Sequence, residues 1–146
     1  MFTSYWSNLR NIPAGLVPVG ISRYAPRWLR SADRPRSDLR LAPAAATLKA
    51  PPAEYIAAFD AQLRQLDPRE VFDSLGPSAV LLCYERPGEF CHRRLVAEWF
   101  EFHLGVAIPE LGFDRLDTAP QTQPGMTWYE EQPARVARLK RILGMD

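Results

Sequence analysis

The pattern of apolar and polar positions predicts three strands. A continuous apolar run at residues 79–83 is typical of a strand buried on both faces of a sheet. A second strand is predicted at residues 16–21. It contains Pro18, which lacks an N–H donor, so the strand starts after the proline or lies near an edge of the sheet. Residues 106–108 predict a short third strand.

Apolar positions at helical spacing predict four helices, over residues 52–66, 67–75, 95–104 and 132–143. Pro52 suits the first turn of its helix. Asp67 is placed to cap the second helix, with Glu70 three residues later. Gly105 is placed to end the third helix as its C-cap.

These elements predict a single small α/β domain over residues 1–146, with a mostly parallel sheet of about 3–5 strands flanked by helices. The strand at 79–83, the helix at 95–104 and the strand at 106–108 form a parallel βαβ unit. Residues 27–53 are rich in Arg, Pro and Ala, and we expect a long excursion with a short helix near Trp28. Residues 117–124 predict a turn-rich loop.

Composition narrows the class of protein. The chain is 47% hydrophobic and 24% charged, which is typical of a globular domain. No apolar run approaches the roughly 18 residues of a membrane span, and the N-terminus lacks the layout of a signal peptide. We therefore expect a cytoplasmic protein whose two thiols are reduced.

Charge is unevenly distributed although the net charge is only +1. Residues 1–50 carry eight basic side chains against Asp33 and Asp38, and all but two of the eighteen basic residues of the chain are Arg. The guanidinium fork matches phosphate geometry, which favours phosphate recognition. A GC-rich genome that encodes Arg in place of Lys explains the same count.

The candidate chemistry is concentrated at residues 79–94. Both cysteines, one of the two histidines and a pair of arginines lie within this segment. Loops at the carboxyl ends of parallel strands are where α/β proteins build their sites. The sequence therefore predicts a functional site at the strand–loop–helix of residues 83–93.

Cys91 is the candidate nucleophile of that site. It lies at a helix N-terminus, where the dipole and the neighbouring His92 and Arg93 favour a thiolate. Glu85 or His92 would then be its proton-transfer partner. In the alternative interpretation Cys91 only packs the start of the helix. Cys83 is predicted to be a small buried apolar residue.

Helical position separates the two arginines. The predicted buried stripe of the helix consists of Leu95, Trp99 and Phe102, with His92 on its extension. Arg94 points the other way and is predicted to lie on the surface, in weak ion pairs with Glu98 and Glu101. Arg93 has no obvious local acid partner. It is the candidate for binding an anion, with a structural salt bridge as the alternative.

A Cys-x-Glu at a strand end, followed by Cys-His-Arg at the start of a helix, resembles the domain-of-unknown-function 488 family. The residues that carry the resemblance are Cys83, Glu85, Cys91, His92 and Arg93. A weaker match lies at residues 21–26, where Arg23 and Pro26 fit the family's Asp-Val-Arg-x-x-Pro pattern but Ile21 replaces its Asp. The resemblance implies a small α/β fold and no established activity.

We expect Arg23, Arg93 and the helix N-terminus to converge on one phosphate or nucleotide-like anion, because the ends of parallel neighbouring strands share one edge of the sheet. Tyr24, Trp28 and His92 would form flat walls suited to a base. Catalysis through Cys91 is a hypothesis at this stage, and whether the protein is an enzyme is left open.

Two alternatives remain. Residues 23–40, with Trp28 and Tyr24, are suited to a nucleic-acid-associated module. No cofactor is predicted in the main interpretation, but Cys83, Glu85, Cys91 and His92 are plausible zinc ligands. Their spacing is not that of a closed structural site, and adjacent Cys-His residues are awkward ligands for one ion. A Cys83–Cys91 thiol pair that only packs a core is the structural alternative.

Overall fold

The structure is a computed structural model that describes residues 1–87 and 89–113, together with positions 141 and 144. The loop predicted at 117–124 lies outside the described residues. The helix predicted at 132–143 also lies outside them, apart from position 141.

The sheet consists of three parallel strands: β1 (Phe2–Tyr5), β2 (Val17–Gly20) and β3 (Ala79–Cys83). The central strand is β3, which pairs with β1 from Phe2↔Val80 onward and with β2 from Val17↔Ala79 onward. All five residues of β3 are buried, as a strand covered on both faces requires. The prediction of a small α/β domain with a parallel sheet is confirmed.

Of the two outer strands, the hydrophobic pattern predicted β2 and missed β1. Pro18 lies in β2 at the edge of the sheet, where a missing N–H donor is tolerated. The sequence analysis missed β1, because two of its four residues, Thr3 and Ser4, are polar and yet fully buried. Those hydroxyls need partners inside the protein, and Thr3 finds them in the charged network described below.

Three helices follow the predicted order: α1 (Pro52–Leu63), α2 (Pro68–Leu75) and α3 (His92–Leu104). The Asp67 carboxylate accepts a hydrogen bond from the Glu70 N–H at 3.1 Å, so the predicted N-cap of α2 is confirmed. Gly105 ends α3 with φ 67°, a left-handed conformation that favours glycine. None of the helices in the described residues is long and apolar enough to cross a membrane.

The core has two parts, one on each face of the sheet. The three helices cover one face, where residues such as Phe59, Val71 and Phe100 pack with Leu81. On the other face Trp6 and Leu29 pack against the alternate side chains of β3, Val80 and Leu82.

The excursion at 27–53 has defined local structure. The prediction of a short helix near Trp28 is wrong. Trp28 lies in a turn in which the Leu29 N–H donates to the Pro26 carbonyl. Short 3₁₀ helices follow at Ser31–Asp33, Leu39–Leu41 and Ala45–Thr47. Arginines tie this segment to backbone carbonyls: Arg34 donates to Leu29, and Arg36 donates to Leu75 of α2.

The strand predicted at 106–108 is also wrong. The Ile108 N–H donates to the Glu101 carboxylate at 3.0 Å, and Pro109 has no N–H to donate. The chain meets the sheet two residues later, where Glu110 forms a single parallel bridge with Thr3 of β1. The crossover from β3 through α3 therefore returns to the sheet beside β1, at one bridge rather than along a full strand.

A buried charged network joins α3 to this returning segment. Arg93 donates from Nε and Nη2 to Glu110 Oε1, at 3.0 and 2.8 Å. Arg94 donates to Thr3 Oγ1 and to the Ile108 carbonyl, and Thr3 donates to Glu110 Oε2. The side chains of both arginines and of Glu110 are no more than 2% exposed.

This network overturns three expectations about α3. Arg94 is buried, not on the surface, and Glu98 and Glu101 are buried with it. Arg93 does have an acid partner, although that partner lies seventeen residues further along the chain. Phe102, expected in the buried stripe, is 54% exposed. The N-terminal half of α3 is covered by the returning segment as well as by the sheet, so burial there is not confined to one stripe.

We predict that Glu110→Gln lowers the free energy of unfolding by about 3–5 kcal/mol, because it removes the buried carboxylate that pairs with the guanidinium groups of Arg93 and Arg94. Urea denaturation followed by circular dichroism measures the change. The matched control is Asp73→Asn, which removes a carboxylate from an exposed pair with Arg69. This control is expected to cost less than about 0.5 kcal/mol. Equal stability of the two variants would contradict the importance of the network.

Candidate functional site

The site lies where β3 ends and α3 begins. Cys83 is the last residue of β3, Cys91 is the N-cap of α3 and His92 is the first residue of the helix. All three side chains are buried. The His92 Nδ1 atom lies 3.3 Å from Cys83 Sγ and 4.0 Å from Cys91 Sγ, and the three donor atoms all lie within 4.8 Å of one another.

Although Cys91 and His92 are adjacent in the sequence, their side chains face the same centre. Cys91 has extended backbone angles, φ −149° and ψ 139°, whereas His92 is already helical. The change of backbone conformation at the helix start allows both side chains to face Cys83.

His92 is held in a definite tautomer by its second nitrogen. Its Nε2 atom lies 2.6 Å from the carbonyl oxygen of Ile21. A carbonyl can only accept, so Nε2 carries the proton and donates it. In the neutral ring Nδ1 then has a free lone pair, and that lone pair faces the two sulfurs. The edge-on contact with the ring of Phe59, at 5.4 Å between centroids, fixes the plane of the imidazole.

The two thiols differ in their electrostatic surroundings. Burial and the neighbouring Cys91 raise the pKa of the Cys83 thiol well above its usual value. Burial acts in the same direction on Cys91, but the hydrogen bond from Cys83 and the charge of Arg93 hold the pKa of Cys91 well below its usual range. Cys91 is therefore the thiolate of the pair, as expected for a cysteine at a helix N-terminus beside cations.

Glu85 lies beside the sulfurs, two residues beyond the end of β3. Cys83 Sγ lies 3.3 Å from Glu85 Oε2. Partial burial and the negative charge of Cys91 raise the pKa of Glu85 to about 7. The carboxyl group is thus close to half-protonated at neutral pH.

A cleft of about 100 Å³ opens in front of this group. Cys83, Glu85 and His92 line it together with Arg23 and the side chains of Tyr24, Tyr55 and Tyr84. Cys91 is not among the lining residues and is only 2% exposed. The cleft therefore gives access to one sulfur and to the imidazole, while the second sulfur lies behind them.

The structure brings together some of the predicted site residues and separates others. Arg23, Tyr24, Glu85 and His92 line one cleft, as expected from strands that end at the same edge. Arg93 is turned towards Glu110 and β1. Trp28 lines a different cavity, with Leu9, Arg10 and Arg30, so it is not a wall of this cleft.

Sequence reasoning missed two aromatic residues that line the cleft, Tyr55 and Tyr84. Tyr55 belongs to the apolar stripe of α1, and nothing in that pattern separates it from a core residue. Tyr84 directly follows the buried strand and is 46% exposed, with its hydroxyl donating to the Tyr24 carbonyl at 2.7 Å. An aromatic residue immediately after a buried strand, beside Cys83 and Glu85, was the available signal.

The comparisons with known proteins add no relative: no protein-family model, no curated protein and no solved structure matches the chain. The resemblance to the domain-of-unknown-function 488 family stays a prediction.

The burial of Cys91 predicts how its thiol reacts. In metal-free Cys83→Ser, where Cys91 is the remaining thiol, a disulfide reagent should react slowly in the native protein and rapidly in urea, because native reaction requires local opening. Reaction of the native variant at the rate of the unfolded one would mean that Cys91 is open to solvent. That result would support a nucleophilic role. Cys91→Ser, which keeps the cleft-lining Cys83, is the matched variant.

Proposed function

We propose that Cys83, Cys91 and His92 bind a divalent transition-metal ion, with zinc as the preferred ion, and that the fourth coordination position opens onto the cleft. The observation that supports this proposal is the convergence of two sulfurs and one imidazole lone pair within 4.8 Å. Two thiolates and one imidazole form a donor set that favours zinc over the harder cations.

The spacing of the donors suits a small tetrahedral centre. Zn–S bonds of ~2.3 Å and Zn–N bonds of ~2.0–2.1 Å place tetrahedral donors roughly 3.5–3.8 Å apart. The two sulfur–nitrogen distances here, 3.3 and 4.0 Å, lie on either side of that value. Binding an ion would require only small movements of the side chains.

The surroundings of the histidine also suit a ligand. Metal-bound histidines donate their other ring N–H to a carboxylate, carbonyl or water, which fixes the ring orientation. The Ile21 carbonyl accepts that hydrogen bond from His92 Nε2. This partner comes from the end of β2, so the sheet itself positions the imidazole.

Three protein ligands are the number found in catalytic zinc sites, which keep a fourth position for water or substrate. Since Cys83 and His92 line the cleft and Cys91 does not, the fourth position of an ion held by these three residues would face the cleft. Zinc bound there would polarise a substrate oxygen and lower the pKa of water to about 7. Glu85, beside Cys83 in the same cleft, is placed to accept the proton that such a step releases.

The other hypotheses have less support from the geometry. A nucleophilic Cys91 would have to reach substrate, and its side chain does not line the cleft. An anion on Arg93 would have to compete with the buried carboxylate of Glu110. For a nucleic-acid surface, much of the arginine set of residues 23–40 is engaged within the protein. Arg30 pairs with Asp33, and Arg40 pairs with Asp38.

We predict one equivalent of zinc per chain after mild purification, measured by elemental analysis. His92→Gln should weaken metal binding by about 100-fold or more, beyond the 10–100-fold range attributed to outer-shell partners. Cys83→Ser and Cys91→Ser should weaken it similarly. His103→Gln is the matched control, because His103 is the second histidine of the chain and lies exposed near the end of α3. It should leave binding unchanged.

Cobalt substitution tests the proposal on the unaltered protein, so the result does not depend on whether the variants fold. Co²⁺ bound to the unaltered protein should give thiolate-to-cobalt charge-transfer bands and the strong visible bands of a tetrahedral ion. A protein that retains no metal, and shows no such bands with added Co²⁺, would overturn the proposal. A Cys83–Cys91 disulfide in that protein would point to a redox thiol pair instead.

A further inference from the structure

We propose that the cleft binds a small flat anion, a single-ring aromatic or heteroaromatic acid, whose negative group pairs with Arg23 and whose ring packs among the tyrosines. This inference rests on the proposed function, because it names the class of ligand that would lie in front of the metal position. Three properties of the cleft support it: the charge of Arg23, the tyrosines that line the cleft, and its volume.

Arg23 provides the charge. Its Nε donates to the Pro43 carbonyl at 2.9 Å, and its Nη2 donates to the Ala42 carbonyl at 3.0 Å. Both partners are neutral, and in the described part of the chain no carboxylate forms an ion pair with Arg23. The guanidinium is thus held in place by the backbone, and no carboxylate among the described residues neutralises its charge. A partly buried charge of this kind attracts an anion more strongly than a solvated one does.

Glu85 adds a constraint on the ligand. It lines the same cleft as Arg23, but the two side chains do not form an ion pair. The cleft therefore keeps a positive group and an acid apart. A ligand with its anionic group at one edge of a ring satisfies Arg23 without placing a second negative charge on Glu85.

The tyrosines provide flat walls. Tyr24 and Tyr84 are 63% and 46% exposed, and the Tyr84 hydroxyl donates to the backbone carbonyl of Tyr24. Tyr55 is half-buried and packs edge-on against Phe90, with ring centroids 5.3 Å apart. The Tyr55 and Tyr84 rings, which these contacts hold in place, can stack on a planar ring at little entropic cost.

The size of the cleft limits the ligand to one ring. Its volume of about 100 Å³ is well below the roughly 300–1,000 Å³ of sites that hold drug-sized molecules. A complete nucleotide, expected from the sequence, would extend far outside it. A single ring with a carboxylate fits the volume and uses both the charge and the walls.

Three probes separate these contributions in isothermal titration of the zinc-loaded protein. Benzoate has the ring and the charge, acetate has only the charge, and benzamide has only the ring. Benzoate is expected to bind at least about tenfold more tightly than either of the others. Equal binding of acetate and benzoate would show that the ring is not recognised and would overturn the inference.

Arg23→Gln should remove the preference of the protein for benzoate over benzamide. Arg23→Lys, which keeps the charge, should restore part of it and shows that the loss is not a folding defect. Arg30→Gln is the matched control, since it removes an exposed guanidinium that lies outside the cleft. An unchanged preference in Arg23→Gln would overturn the inference.

Repeating the titration on chelator-treated protein distinguishes failure of this inference from failure of the metal proposal. Benzoate binding that persists without metal and still depends on Arg23 supports the cleft even if no metal is ever retained. Benzoate binding that requires zinc and ignores Arg23 means that the carboxylate binds only to the metal, and the inference is then wrong while the metal proposal stands.

Discussion

The rest of the structure depends on one interaction, the pairing of the buried Glu110 carboxylate with Arg93 and Arg94. Two arginines in the first turn of α3 would oppose the helix dipole and would be costly to bury without a counter-charge. Glu110 accepts from Arg93 and, with Thr3, holds Arg94. One carboxylate thus joins β1, the start of α3 and the segment that follows α3. The position of Cys91 and His92 over the end of β3 follows from this anchoring.

Arg93 connects this anchor to the site. Its guanidinium donates to Glu110 on one side, and its charge lowers the pKa of Cys91 on the other. A buried thiolate needs a nearby positive charge, and Arg93 supplies it whether or not a metal ion is bound. Arg93, which the sequence predicted would bind an external anion, instead stabilises the thiolate of Cys91. We propose that an external anion binds instead to Arg23, whose partners are neutral carbonyls.

Local sequence signals were sufficient where the structure is determined locally. The buried strand β3, the Asp67 cap of α2 and the Gly105 cap of α3 depend on residues within a few positions of one another, and each was predicted correctly. The proximity of Cys83, Glu85, Cys91 and His92 was predictable for the same reason, since they lie within ten residues of one another.

Several of the errors concern partners that are distant in the chain. Arg94 was placed on the surface because Thr3 and Glu110, which make its burial possible, lie 91 and 16 residues away. The first strand was missed because its buried hydroxyls disguise it as a polar segment. The Ile21 carbonyl, which orients His92 from 71 residues away, is a backbone group that no sequence pattern reveals. Because of these long-range contacts, we propose a metal centre rather than the nucleophilic Cys91 expected from the sequence.

X-ray absorption at the zinc edge of the purified, zinc-loaded protein tests the central claim most directly. The account predicts two sulfur ligands at ~2.3 Å and lighter ligands at ~2.0–2.1 Å, one of them with the scattering pattern of an imidazole ring. In Cys91→Ser one sulfur should be lost from the coordination shell. A shell that contains no sulfur, or one that keeps both sulfurs in that variant, would contradict the account.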